Sequence, residues 1–144
     1  MRFFRFVLGS GLVAALCLVT ACGSSPTSPS TPTTLTTTDL QIGSGTEAAK
    51  GNTVAVHYTV WLYDASGTDT KRLQIETSRG GDPFSFVLGN GEVIAGWDQG
   101  VPGMRAGGVR RLVVPPALAY GDSRRNAIPP NSSLVFEIEL ISVQ

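Results

Sequence analysis

Every second residue from position 54 to position 62 is apolar, and this pattern constrains the fold more than any other feature of the chain. A β-strand places such residues on one face, whereas a helix scatters them around its circumference. His57 and Trp61 fall on the opposite face. The pattern therefore predicts a strand over 53–63 with one buried face, which is typical of an antiparallel sheet. The buried face consists of Val54, Val56, Tyr58, Val60 and Leu62.

Further runs continue the sheet and are separated by segments rich in Gly, Pro, Asn and Asp. Residues 109–114 predict a further strand, and residues 134–140 alternate, with Glu137 and Glu139 facing away from the apolar side. Residues 36–43 are a weaker candidate for the first strand. The apolar faces of the remaining predicted strands are Phe84, Phe86 and Leu88 in one, and Leu134, Phe136, Ile138 and Leu140 in the last.

Only residues 92–101 have a helical pattern, and a helix this short is marginal unless it packs on the rest of the domain. Gly96 weakens it further, and Gly100 is suited to its end. Its apolar side must therefore rest on the sheet. The predicted fold class is α+β, with a twisted antiparallel sheet folded against one short α-helix.

The composition excludes several classes of function. The 144 residues suit one domain, and 11 basic residues balance 11 acidic ones. A nucleic-acid binder with a basic surface is therefore not expected. One histidine and two cysteines cannot build a metal site from several such ligands, and any catalytic triad would have to use His57.

The N-terminus has the form of a secretory signal. Arg2 and Arg5 precede fourteen uncharged residues at positions 6–19, and a small pair, Thr20-Ala21, leads to Cys22. The ending resembles a bacterial lipobox, which implies cleavage after residue 21 and lipid attachment at Cys22. Two alternatives are a membrane anchor, for which the run is short, and an ordinary cleaved signal that leaves Cys22 as a free thiol. The lipoprotein reading predicts attachment outside the cytoplasm in a bacterial cell envelope.

Residues 22–38 predict a flexible tether. Fourteen of these seventeen residues are Ser, Thr or Pro, so they offer no apolar face to offset the entropy of ordering. The prolines favour extended segments. The globular domain is accordingly predicted to occupy 39–144.

A series of short motifs in this domain resembles the FKBP-type peptidyl-prolyl cis-trans isomerases. Each motif is weak alone, but their order over 39–144 is specific. They are Val56-His57-Tyr58-Thr59, Glu76-Thr77-Ser78-Arg79, 83–89 (PFSFVLG), 92–101 (EVIAGWDQGV), 116–121 (PALAYG), 128–131 (IPPN) and 134–140 (LVFEIEL).

The resemblance implies a sheet half-wrapped around the helix, with an apolar pocket between them that receives a prolyl ring. It implies catalysis of X-Pro bond rotation without a metal, a cofactor or a covalent intermediate. Trp97 is implied as the floor, the Ile94 N–H and Tyr120 hydroxyl as donors to carbonyl groups, and Phe86 as support for a wall. The implied catalytic residues are Tyr58, Glu76, Trp97, Tyr120 and Phe136, and the implied substrate-binding residues are Ile75, Phe84, Val93, Ile94 and Ile128.

The implied partners are proline-containing polypeptide clients and macrolide immunosuppressants, with membrane contact through the lipid and no nucleic acid. A monomer is expected. The chain departs from the family pattern at Ile75 and Glu76, where Phe-Asp is usual, and carries an insertion at residues 64–74. These departures keep a second hypothesis open, a client-holding module without turnover; a purely structural envelope lipoprotein is the third.

Two arginines, Arg124 and Arg125, lie in the loop after Tyr120. We interpret them as solvated surface charge, the alternative being a role in selecting acidic residues beside the client proline. His57 is interpreted as a surface or structural histidine, because strand alternation turns it away from the pocket face.

Overall fold

The fold was analysed in a computed structural model that describes residues 31–67 and 69–144. The described residues form a six-stranded antiparallel sheet and one short helix. The predicted fold class is confirmed. The elements are β1 (Thr36–Gln41), β2 (Thr53–Tyr63), β3 (Lys71–Thr77), β4 (Phe84–Val87), α1 (Ala95–Gly100), β5 (Val109–Val114) and β6 (Leu134–Val143).

The sheet is organised around β2, whose bounds are those predicted. The strand order is β1-β5-β6-β2-β3, and β4 also pairs with β2. One edge of β2 pairs with β6 along its length, while the other edge is shared by β4 near Val54 and β3 near Thr59. This division leaves room at the middle of β2 for a side chain to enter from the connection between β3 and β4.

The hydrophobic core lies between α1 and the face of the sheet that the alternation predicted. Val54, Val56, Leu112, Ile138 and Leu140 are fully buried there. The helix contributes Trp97 to this core, and Val101, the residue that follows the helix, is also buried. No helix in the described part of the chain has the length and hydrophobicity that a membrane crossing requires.

Several boundaries differ from the sequence predictions. The first strand begins at Thr36, as the weaker strand prediction 36–43 expected, and it therefore overlaps the stretch 22–38 that composition assigned to a tether. A strand, β3, occupies part of the predicted insertion 64–74 and extends to Thr77. The helix begins at Ala95 rather than at residue 92, because Ile94 has an extended ψ of 149°.

Candidate active site

Trp97 forms the centre of an aromatic cluster between α1 and the sheet. Its ring is 4% exposed and packs edge-on against Tyr58 and Phe136, at centroid distances of 5.2 and 5.4 Å. The indole N–H is buried without a hydrogen-bond partner in the described residues. The ring therefore contributes its apolar face rather than its donor.

The helix approaches the sheet closely because two glycines face β5. A Cβ at Gly96 would lie 2.5 Å from a methyl carbon of Val114, and one at Gly100 would lie 2.8 Å from a methyl carbon of Leu112. The spacing of four residues puts both glycines on one side of α1. Gly96, which lowers the helix propensity of α1, thus also allows α1 to approach β5 and so determines how far Trp97 lies from the sheet.

The loop before α1 is held by two carboxylates. Asp98 accepts the backbone N–H groups of Gly89 and Gly91 at 2.8 and 3.0 Å. Glu92 accepts the Val87 N–H at 3.0 Å and the Asn90 side-chain amide at 3.0 Å. The Val87 bond is the main reason that the pKa of Glu92 lies below its usual value. These bonds fix the turn that presents Val93 and Ile94 to the sheet.

Tyr58 and Glu76 form a polar pair at one wall. The Tyr58 hydroxyl donates to the Glu76 carboxylate at 2.7 Å. Burial, the hydrogen bond to Glu76 and the charge of Glu76 together raise the pKa of Tyr58 to about 12. Tyr58, which like any tyrosine is protonated at neutral pH, therefore keeps its proton to a higher pH than an exposed tyrosine does.

Ser78 places Tyr58 at the middle of β2. The Ser78 hydroxyl accepts the Tyr58 N–H at 2.9 Å, and the Ser78 N–H donates to the Tyr58 carbonyl at 2.9 Å. Ser78 thereby fills the gap between β3 and β4. His57 points to the other face of β2, where its Nδ1 lies 3.3 Å from the same hydroxyl. His57 does not line the cavity described below, in agreement with its predicted direction.

The opposite wall comes from the loop between β5 and β6. Gly121 N–H donates to the Pro116 carbonyl at 2.9 Å, which closes the turn that carries Tyr120. Arg125 and Ile128 exchange backbone hydrogen bonds at 3.2 and 2.7 Å across a tight turn. Ile128 is buried, whereas the exposed guanidinium of Arg125 lies over the Tyr120 ring at 5.4 Å.

These walls enclose a cavity of about 480 Å³ above Trp97. Most of the side chains that line it are apolar or aromatic. It also has two neutral hydrogen-bond donors on different walls: the Tyr120 hydroxyl from the loop between β5 and β6, and the Ile94 N–H from the loop before α1. The cavity can therefore bind a compact apolar group flanked by carbonyl groups. The lining residues are Tyr58, Val60, Glu76, Phe84, Gly91, Glu92, Val93, Ile94, Trp97, Ala119, Tyr120, Arg125, Ile128 and Phe136.

The structure brings together every predicted pocket residue except Ile75. Ile75 is half-buried on the edge strand β3 and packs against the core beside the cavity. Phe86 is buried behind Phe84, at a centroid distance of 5.7 Å, which is the supporting position predicted for it. Cys22 lies outside the described residues.

Sequence reasoning missed Val60, Gly91, Glu92 and Ala119 as cavity residues. Glu92 and Ala119 belong to motifs that the sequence singled out, and Val60 and Gly91 are adjacent to such motifs, so this proximity was a usable signal. Arg125 was interpreted as solvated surface charge; its side chain is exposed, as that interpretation expects, and it also lines the cavity because of the turn at 125–128. Arg124 is exposed and does not line the cavity, as expected.

Comparison with known proteins identifies the class to which this fold and site belong. Residues 44–141 match the sequence profile of the FKBP-type peptidyl-prolyl cis-trans isomerases, and the chain belongs to that family. It is 42% identical over 106 residues to the FK506-binding protein of Neisseria meningitidis serogroup B, covering 73% of this chain and 92% of that protein. It is also similar to FK506-binding protein 4 of Aspergillus fumigatus, at 43% identity over 74% of this chain.

The chain spans only 20% of the length of that Aspergillus relative. Two solved structures show the same fold. The crystal structure of AtFKBP13 has a TM-score of 0.65 and 39% identity, covering 79% of this chain and 96% of that one. The crystal structure of FkpA from Escherichia coli has a TM-score of 0.62 and 38% identity, covering 76% of this chain and 48% of that one.

Proposed function

We propose that this protein is a peptidyl-prolyl cis-trans isomerase that binds the proline of a polypeptide client above Trp97. The observation that supports this most is the cavity itself, in which the Trp97 face is the floor and aromatic rings from β2, β4 and β6 are the walls. Its volume of about 480 Å³ accommodates a prolyl ring and the flanking peptide groups.

The reaction needs no chemistry from the protein beyond selective binding. The barrier to rotation of an amide, ~18–20 kcal/mol, is the loss of resonance as the C–N bond twists. The twisted amide is less polar across this bond than the planar one, so an aromatic cavity favours the twisted form. Donors placed for the rotated carbonyl add to this preference, and each ~1.4 kcal/mol gives a tenfold rate increase.

Tyr58 and Glu76 support this binding as a pair. The carboxylate orients the Tyr58 hydroxyl and raises the pKa of the phenol. The wall is therefore a hydrogen-bonded pair of a phenol and a carboxylate in a fixed orientation. Glu76 retains this arrangement although its side chain is longer than the aspartate that is usual in the family.

The proposal is tested by the rate of cis-trans isomerisation of short proline peptides, with the full chain carrying Cys22→Ser. We expect catalysis by this protein and a loss of about tenfold or more in kcat/KM for Trp97→Leu, because the floor loses its aromatic face. Trp61→Leu is the matched control, since Trp61 lies on the opposite face of β2. Full activity of a folded Trp97→Leu protein contradicts the assigned site.

A client-holding module remains the second candidate, and one observation weakens its basis. The departures at Ile75 and Glu76 were the reasons to expect reduced turnover; Glu76 lines the cavity, but Ile75 does not. Retention of an unfolded client by a folded protein that catalyses no isomerisation is the result that selects this second function.

We propose further that the mature protein is a monomer attached to a bacterial envelope membrane through lipid at Cys22. The lipobox-like ending and the Ser/Thr/Pro-rich segment after it support this. Metabolic labelling with palmitate tests it: the expected label is lost in Cys22→Ser and kept in Cys17→Ser. Persistence of the label in Cys22→Ser contradicts the attachment site, and sedimentation of the Cys22→Ser chain tests the monomer.

A macrolide of the FK506 type is a further proposed ligand. The proposal rests on the cavity and on the Neisseria and Aspergillus relatives, both of which are FK506-binding proteins by name. We expect such a macrolide to inhibit isomerisation by competition with the peptide. Activity that is unaffected by the macrolide contradicts this proposal without affecting the isomerase assignment.

A further inference from the structure

Arg125 is a cation placed at the mouth of the cavity by the backbone. The turn from 125 to 128 is closed by two backbone hydrogen bonds, and Asn126 within it has a φ of 46°. Asparagine adopts this left-handed conformation more readily than most residues. The guanidinium then lies over the ring of Tyr120, so one loop supplies both a hydroxyl donor and a positive charge.

The charge of Arg125 is available to a ligand. The guanidinium forms no ion pair with a carboxylate within residues 31–67 and 69–144, in contrast to five other basic residues. The paired residues are Lys71, Arg79, Arg105, Arg110 and Arg111. Stacking on Tyr120 orients the group without neutralising it.

The two carboxylates of the cavity already have partners. Glu76 accepts the Tyr58 hydroxyl, and Glu92 accepts the Val87 N–H and the Asn90 amide. Two carboxylates therefore lie on one side of the mouth, near β3 and the 89–92 loop, and the guanidinium of Arg125 lies on the other side. A charged side chain of the client is therefore favoured on one side of the mouth and disfavoured on the other.

The side chain of the residue before the proline has a restricted range of positions. The proline ring disfavours helical conformations of this residue, so within each of the cis and trans forms its Cβ occupies a narrow range of positions relative to the ring. We propose that Arg125 is a specificity-determining residue that favours an acidic side chain immediately before the client proline. This inference rests on the proposed isomerase function and adds a substrate class to it.

The test compares peptides Ala-Xaa-Pro-Phe in which Xaa is Glu, Gln, Lys or Leu, using the full chain carrying Cys22→Ser. Glu and Gln differ in charge but not in shape, so their ratio of kcat/KM isolates the electrostatic effect. We expect the Glu peptide to be favoured roughly two- to fivefold at low salt, the range given by an exposed ion pair. The ratio should fall towards one as added salt screens the pair.

Variants of Arg125 separate charge from structure. Arg125→Gln should bring the Glu-to-Gln ratio to one, Arg125→Lys should retain part of the preference, and Arg125→Glu should shift the preference to the Lys peptide. Arg124→Gln is the matched control and should leave the ratio unchanged, because Arg124 is the adjacent arginine that does not line the cavity.

The outcomes distinguish this inference from the proposed function. No catalysis of the Leu peptide contradicts the isomerase function itself. Catalysis of the Leu peptide with a wild-type Glu-to-Gln ratio of one, or a ratio that survives Arg125→Gln, overturns the role of Arg125. A preference for Glu only when it follows the proline, measured with Ala-Leu-Pro-Glu and Ala-Leu-Pro-Gln, overturns the proposed position.

Discussion

Single residues decide the polarity of the cavity, and Tyr58 shows how. Its hydroxyl donates to a carboxylate 2.7 Å away, on a ring that also contacts Trp97. Both burial and the neighbouring charge oppose ionisation of the phenol. The contacts that shape the wall therefore also raise the pKa of Tyr58, and a titration can measure this pKa.

We expect the stability of the protein to fall as the pH rises from about 10 to about 12. The unfolded phenol ionises near 10, whereas Tyr58 in the folded protein ionises at about 12. The native state holds more protons in this interval, so its contribution to stability is complete below pH ~10 and is lost as the pH passes the folded value. Urea unfolding at a series of pH values measures the fall.

Glu76→Gln should lower the pKa of Tyr58, because it removes the negative charge beside the phenol. The difference in phenolate absorbance between each protein and its Tyr58→Phe variant isolates this one tyrosine. An unchanged Tyr58 titration in Glu76→Gln is inconsistent with the hydrogen-bonded pair.

At the scale of secondary structure, the position of α1 depends on how closely its backbone approaches β5. A glycine inside a helix normally lowers its stability by about 1 kcal/mol relative to alanine. Here Gly96 faces Val114 with no space for a methyl group. Helix propensity alone predicts that Gly96→Ala stabilises the protein, whereas packing against Val114 predicts that it destabilises the protein.

We expect Gly96→Ala to destabilise the protein by about 1–3 kcal/mol, the usual cost of overpacking a core. The exposed Gln99→Ala change in the same helix is the control and should be neutral or slightly stabilising. Denaturant midpoints compare the two. A stabilising Gly96→Ala change shows that the close approach of α1 to β5 is not required.

A network of charges fixes the segment before β3 to the outer face of the sheet. Arg111 on β5 contacts Asp69 at 2.6 Å and Glu137 on β6 at 2.9 Å, and Lys71 contacts Glu137 at 2.6 Å. Burial alone raises the pKa of Glu137, but its bonds to Lys71 and Arg111 outweigh this and lower it. Bonds to Lys71 and Arg111 lower the pKa of Asp69 as well.

We expect Arg111→Met to reduce the free energy of unfolding at neutral pH by about 1–2 kcal/mol. A hydrogen bond to a charged group contributes about 1.5–3 kcal/mol, and the partial exposure of this network lowers that contribution. The depressed carboxylate pKa values stabilise the fold above the usual carboxylate range and cease to do so as the pH falls through the folded values. The difference between the two proteins should therefore shrink near pH ~3. A difference that is the same at both pH values argues against the network.

The sequence predicted the central elements well, because their apolar residues face a single core. Strands β2 and β5 have their predicted bounds, and the predicted apolar face of β6 is fully or almost fully buried. Strand β3 could not be predicted in this way, since it is an edge strand whose Leu73 is 55% exposed. Without a buried face, an edge strand lacks the alternation of apolar and polar residues from which a strand is predicted.

The site was predictable from the family motifs, in regular elements and in loops alike. Tyr58, Trp97 and Phe136 lie on the strands and helix that the patterns located, whereas Tyr120 and Ile128 lie in the loop between β5 and β6. Arg125 was noted in the same loop, but the direction of its turn depends on the left-handed Asn126 and on pairing with Ile128. No local pattern of polarity encodes that direction, so only the structure shows that Arg125, and not Arg124, lines the cavity.

At the scale of the molecule, the first strand extends the domain beyond the family match at 44–141. β1 pairs with β5, and its Asp39 forms an ion pair with Arg110 at 2.6 Å. Arg110 also donates to the carbonyl groups of Gly100 and Pro102 at the end of α1. The N-terminal strand thereby supports the helix that carries Trp97.

We expect a protein that begins at residue 44 to be less stable than one that begins at residue 31, by about 2 kcal/mol or more. It loses several inter-strand hydrogen bonds worth about 0.5–1.5 kcal/mol each, and the exposed edge of β5 favours self-association. Denaturant unfolding and sedimentation compare the two lengths. Equal stability and a monomeric state in both contradict a structural role for β1.

The cavity lining contains neither histidine nor cysteine, and both cysteines of the chain, Cys17 and Cys22, precede the described domain. The side chains that line the cavity are hydrocarbon, indole, phenol, carboxylate or guanidinium groups. Such a surface offers no imidazole that titrates near neutral pH and no thiol that a disulfide could capture. On the proposed function, we therefore expect thiol oxidants and reductants to leave the rate of isomerisation of an uncharged peptide unchanged.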